Sequence, residues 1–123
     1  MRVLYVDDEP DIRVVAVMCL QLNDNFEVQE CASGMDALQV ARDWQPDLVL
    51  LDVMMPEMDG PMTRIALRDD PATTHIPVVF VTARTQPSEV ERLLELDVTG
   101  VIAKPFDPMS LAEQVSTLMG WKN

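Results

Sequence analysis

Five short apolar runs alternate with five stretches of helical spacing, and this alternation limits the chain to very few folds. The runs are Val3–Val6, Phe26–Cys31, Leu48–Leu51, Ile76–Val81 and Val101–Ala103, each rich in Val, Ile, Leu or aromatic residues and short enough for a strand. Asp11–Leu22 places Ile12, Val15, Met18, Cys19 and Leu22 at intervals of three and four, and Gly34–Trp44 does the same with Leu38, Ala41 and Trp44. Met62–Arg68, Pro87–Leu96 and Pro108–Met119 complete the set of expected helices. Pro10, Pro61, Pro87 and Pro108 stand near helix starts, where a missing N–H and a fixed φ cost little. Strand and helix in strict alternation predict an α/β fold, a parallel sheet covered by helices on both faces. Only Phe26–Cys31 alternates apolar with polar residues, which puts it at a sheet edge, with 3–6 and 48–51 central. The expected architecture is a flavodoxin-like doubly wound (βα)5 unit of strand order 2-1-3-4-5. The 123 residues suit one such domain, 1–123.

In open parallel sheets, ligands bind beyond the carboxyl ends of the strands. Asp7 and Asp8 follow the first run, Asp52 ends the third, Thr82 the fourth, and Lys104 lies just past the fifth. Two unit charges ~4 Å apart repel by about 4 kcal/mol at an effective dielectric of 20, so three carboxylates in one crevice demand a partner. One lysine is too little for three acids. Hard oxygen ligands with room for water suit Mg²⁺, which takes one or two protein carboxylates plus a phosphate. The crevice therefore reads as a divalent-cation site prepared for a phosphoryl group, with Lys104 and the Thr82 hydroxyl aimed at its oxygens. Asp52, at its centre, is the natural nucleophile, because a carboxylate accepts phosphate as an aspartyl-phosphate.

VDDEP (6–10), LLDVMMPEMDG (50–60), VTA (81–83) and KPF (104–106) together resemble the receiver domain of two-component response regulators, over essentially the whole chain. The resemblance implies that Asp52 is the phospho-acceptor and that Asp7, Asp8, Asp52 and the backbone carbonyl of Met54 bind Mg²⁺, with Mn²⁺ as a substitute. It also implies that Thr82 contacts the phosphoryl group, that Lys104 pairs with it, and that the Lys104–Pro105 bond is cis. The implied donor is a histidine kinase or histidine phosphotransfer protein, the phosphoryl group is slowly lost by self-dephosphorylation, and the output passes to a downstream effector domain or protein. Such a chain is a phosphorelay signalling domain rather than an enzyme acting on a separate substrate. Met54 and Arg84, two residues beyond Asp52 and Thr82, border the implied pocket.

One position departs from that pattern. Receivers usually carry Tyr, Phe or His three residues before the lysine, and here the residue is Val101, following DVTG (97–100). A valine has one stiff χ angle and little volume to relocate. Phosphorylation is therefore expected to shift the loop after Thr82 and the following helix without an aromatic swing. A pseudo-receiver, keeping the fold as an interaction domain, is the nearest alternative. A haloacid-dehalogenase-like phosphatase would need its nucleophile in a D-x-D motif at the first strand, and a flavodoxin would need a phosphate loop where Asp7 and Asp8 stand.

The remaining features are bland. A net charge of −12 argues against direct nucleic acid binding. No apolar run approaches a membrane span and no signal-peptide core opens the chain, so a cytoplasmic domain with no membrane contact is expected. Cys19 and Cys31 fit reduced, half-buried thiols, and His75 sits alone in a polar turn. Met18, Met109 and Met119 are assigned to core-facing helix sides, while Ile12, Val15 and Met55–Met58 are the expected kinase contacts, with Met62 also open to a partner.

Overall fold

A computed structural model describes residues 1–121. Its strands are β1 (Arg2–Val6), β2 (Glu27–Cys31), β3 (Leu48–Asp52), β4 (Val78–Thr82) and β5 (Gly100–Ala103). They form one parallel sheet of order β2-β1-β3-β4-β5, the order expected from the alternation. The helices are α1 (Pro10–Leu20), α2 (Gly34–Trp44), α3 (Gly60–Asp69), α4 (Pro87–Leu94) and α5 (Leu111–Met119).

Period-two alternation divides each central strand between two cores. Val3 and Tyr5 of β1, Leu48 and Leu50 of β3 and Ile102 of β5 pack with Ala16, Cys19 and Leu20 of α1 and Leu111 and Val115 of α5. Leu4 and Val6, Val49 and Leu51, and Val78 and Phe80 face the other way, onto Ala37 and Ala41 of α2, Leu67 of α3 and Leu93 of α4. β1, β3 and β4 are covered on both faces, which is why they read as continuous apolar runs, whereas β2 exposes Glu27, Gln29 and Glu30 at the edge.

Several boundaries and exposures correct the sequence reading. Pro10, Pro61 and Pro87 do stand at the first or second helical position, but Pro108 does not. The Asp107 carboxylate accepts a hydrogen bond from the Met109 N–H at 3.0 Å and the Asp107 carbonyl accepts from Ser110 N–H. That turn holds 108–110 outside α5 and leaves Met109 80% exposed. Met18 is 63% exposed, because α1 is apolar nearly all round and, of the expected stripe, buries only Cys19, together with Ala16 and Leu20. Only Met119 packs against the core as expected. Met55 is buried and so is not an open partner contact, whereas Met62 and Val15 are exposed and Ile12 and Met58 are half-buried. Both cysteines are free, and they are buried rather than half-buried, on opposite faces of the sheet.

Candidate functional site

The strand parity that builds the α1/α5 core also aims three charged side chains. Asp7 continues the series Val3, Tyr5; Asp52 continues Leu48, Leu50; Lys104 continues Ile102. Because β1 and β3 are neighbours and β4 and β5 end beside them, these side chains meet at the carboxyl end of the sheet. Lys104 Nζ lies 2.7 Å from Asp7 Oδ2 and 3.2 Å from Asp52 Oδ1, with Glu9 Oε1 at 4.0 Å. Asp7 is fully buried and Asp52 nearly so. One carboxylate oxygen from each of Asp7, Asp8 and Asp52 falls in a group spanning no more than 4.8 Å.

Asp7 has further partners besides Lys104. Its Oδ2 also accepts the Tyr5 hydroxyl at 3.1 Å, its Oδ1 accepts the Glu9 N–H at 3.0 Å, and its backbone carbonyl accepts from Arg13 at 2.8 Å. Arg13 is held in turn by Glu30 at the end of β2. Tyr5 and Arg13 went unremarked in the sequence, yet Tyr5 carried a signal: a phenol two residues before an aspartate, on the same face of a buried strand, must find a partner for its hydroxyl.

The electrostatics follow from burial. Removal from water, reinforced by the charge of Asp7, pushes the Asp52 carboxyl up to about 6, against the opposing pull of Lys104 and the Met54 N–H. Burial alone would depress the Lys104 ammonium, but hydrogen bonding to Asp7 and the charges of Asp52 and Asp7 outweigh it and raise its pKa. Burial, with the Asp7 charge and hydrogen bond behind it, lifts the Tyr5 phenol far above its ordinary value, so the hydroxyl stays a donor.

The loop after β3 returns to the site through Gly60, whose N–H donates to the Val53 carbonyl at 2.9 Å. A Cβ there would stand 2.7 Å from the Asp52 carbonyl oxygen and 2.8 Å from Val53 Cα, so the loop closes this tightly only on glycine. Asp59 then caps α3 by accepting from Met62 N–H. Met54, in this loop, is 55% exposed.

Thr82 continues the other parity, after Val78 and Phe80, and is buried at the end of β4. Its Oγ1 accepts the Arg84 N–H at 3.0 Å and its carbonyl accepts the Lys104 N–H at 2.8 Å. A cavity of about 280 Å³ opens beside it, lined among others by Val53, Met54, Arg84, Leu93 and Leu96. Arg84 reaches out toward Glu89 at 4.0 Å, and Val101 is half-buried against the α4-side core. The Lys104–Pro105 bond is cis. His75 is exposed in the turn before β4, away from these strand ends.

The family sequence model for the response regulator receiver domain matches residues 3–116. The chain belongs to the response-regulator receiver family. This receiver is 38% identical over 122 residues to the response regulator PleD of Caulobacter vibrioides, a match covering 98% of this chain and 26% of that protein. It is 35% identical over 114 residues to the DNA-binding response regulator MtrA of Mycolicibacterium smegmatis, covering 93% of this chain and 48% of that one. The chain thus spans between a quarter and a half of these two curated relatives. Among solved structures, the Vibrio cholerae chemotaxis protein CheY4 superposes with a TM-score of 0.85 at 31% identity, over 95% of this receiver and 97% of that chain. The doubly wound fold and the two-component signalling role of the domain rest on the same footing. Among the described residues no helix is long and apolar enough to cross a membrane.

Proposed function

We propose that this receiver accepts a phosphoryl group on Asp52 from a phosphohistidine donor and acts as one unit over residues 1–123. The observation that carries the reading is a buried aspartate, Asp52, with one cation at 3.2 Å and two further acids grouped around it. Three acids against one lysine leave the crevice short of positive charge, and an all-oxygen donor set of this kind fits a hard divalent cation. Asp7, Asp8 and Asp52, with the Met54 carbonyl, are the residues that would hold Mg²⁺ or Mn²⁺. When bound, the ion would supply charge neutralisation for the phosphoryl oxygens.

The side chains supply the rest. A carboxylate oxygen of Asp52 attacks phosphorus as the bond to the donor imidazole nitrogen breaks, and the electron pair leaves with the imidazole. Lys104, already shared between Asp7 and Asp52, neutralises the charge that arrives on Asp52. The Thr82 hydroxyl proton is free to donate to a phosphoryl oxygen while its oxygen keeps the Arg84 N–H. Return of water to the same phosphorus gives slow self-dephosphorylation, with Met54 and Arg84 at the rim controlling its access. The protein then works as a switch in the cytoplasm, with a histidine kinase or phosphotransfer protein upstream and an effector downstream, and with no substrate of its own.

Intact mass after incubation with Mg²⁺ and acetyl phosphate tests this. The expected result is a gain of one phosphoryl group that disappears on chelation and is absent in Asp52→Asn. No gain in the parent removes the assignment and favours the pseudo-receiver reading that Val101 motivates, and an equal gain in Asp52→Asn removes it by placing the phosphoryl group on another residue.

A further inference from the structure

We propose that Tyr5 is a positioning residue for the metal site: its hydroxyl anchors Asp7 from beneath, so that the carboxylate keeps its orientation when Lys104 turns to the phosphoryl group. The inference rests on the reading that Asp7, Asp8 and Asp52 hold a divalent cation. Asp7 has about four acceptor positions on its two oxygens. Tyr5 and Lys104 both donate to Oδ2, at 3.1 and 2.7 Å, and the Glu9 N–H donates to Oδ1. One position remains for an ion. Of the two donors to Oδ2, Lys104 is shared with Asp52 at 3.2 Å, and charge arriving on Asp52 draws it that way. Tyr5 is not shared: its ring is fully buried in the α1/α5 core and its hydroxyl has Asp7 as its hydrogen-bond partner. Without it, a fully buried carboxylate oxygen would lose its fixed donor at the step where its direction matters most.

Two donors to one oxygen then have opposite effects on the metal. Lys104 is a cation and competes with Mg²⁺; Tyr5 is neutral and orients the ligand. Isothermal titration of MgCl₂ into the parent, Tyr5→Phe and Lys104→Met separates them. Tyr5→Phe keeps the ring packing and is expected to bind Mg²⁺ roughly tenfold more weakly, whereas Lys104→Met binds it more tightly. Because Tyr5 is the sole tyrosine of the chain, a ¹³Cζ label gives a single resonance that reports the phenol hydrogen bond directly. In the parent that resonance is expected to shift and saturate with the same Mg²⁺ dependence as the heat. Equal or tighter binding by Tyr5→Phe overturns the proposal. So does a ¹³Cζ signal unmoved by saturating Mg²⁺, which decides the matter even where Tyr5→Phe fails to fold. A parent that binds no Mg²⁺ overturns the metal reading itself and this inference with it.

Discussion

On the α1/α5 side of the sheet, Asp7, Asp52 and Lys104 are each held by an ion pair, and Asp7 by further bonds from Tyr5, Glu9 and Arg13. On the α3/α4 side, β4 ends in Thr82, and the chain runs on through an exposed Arg84 to a helix that buries Leu93 alone. The first region is a closed network of buried charge; the second is a rim around a cavity with a single long ion pair, Arg84 to Glu89. Buried charges that share their partners are costly to displace, because any one displaced group leaves another unpaired in low dielectric. Thinly packed segments open at little cost. The contrast assigns preorganised chemistry to one side of the crevice and compliance to the other.

Stability measurements test this contrast with the largest expected effect. Lys104→Met leaves Asp7 and Asp52 facing each other without a cation and is expected to cost roughly 3 kcal/mol in urea unfolding without divalent metal. Arg84→Ala, at an exposed and distant pair, should stay within about 0.5 kcal/mol. Comparable losses in the two variants would erase the difference between the sides.

A smaller effect should follow pH. The Asp52 carboxyl titrates near 6 when folded, against an ordinary value of 3.8, so between these values the folded chain holds a proton that the unfolded chain has released. The unfolded state binds fewer protons there, and stability falls as pH rises through that window. Unfolding of the metal-free parent from pH 4 to 7 should show this decline, and Asp52→Asn should lack it. Phosphorylation by acetyl phosphate should move the opposite way, weakening at low pH because the nucleophile is the ionised carboxylate, with a midpoint below that of the metal-free carboxyl because a bound cation favours the charged form. A parent and variant with the same pH slope would show that burial does not hold Asp52 in this state.

The subtlest change is expected on the compliant side. Adding beryllofluoride as a phosphoryl mimic should move backbone amide signals of residues 82–96 as well as those of the site, without an aromatic ring to carry the change past Val101. Shifts confined to 7–8 and 52–60 would show that the α4 side does not respond.

Much of the fold, and which strand-end side chains could meet in a candidate site, could be read from period and spacing. β1 and β3 announced themselves as central strands, and the same period of two that buries Val3 and Tyr5 carries Asp7 to the α1/α5 side. α1 was less legible: with apolar residues on nearly every side, its spacing pointed to Met18 and Leu22 as core residues, and both are exposed. Pro108 resembled a helix start, but Asp107 captures the following N–H groups in a turn. Those outcomes depend on which neighbour a helix meets and which local bond wins, and neither is written in the spacing of one segment.

The α/β alternation, the edge position of β2 and the set of strand-end residues are legible along the chain, because they follow from local period and from the rule that parallel strands expose their carboxyl ends to ligands. That Asp7 shares one oxygen between Lys104 and Tyr5, that Asp52 sits where burial outweighs its lysine, and that Thr82 opens onto the α4 cavity became visible in the folded chain alone. The physical reason is that burial and charge act through space: residues 5, 7, 52 and 104 are strangers along the chain, and their energies exist only once the sheet has brought them within a few ångströms.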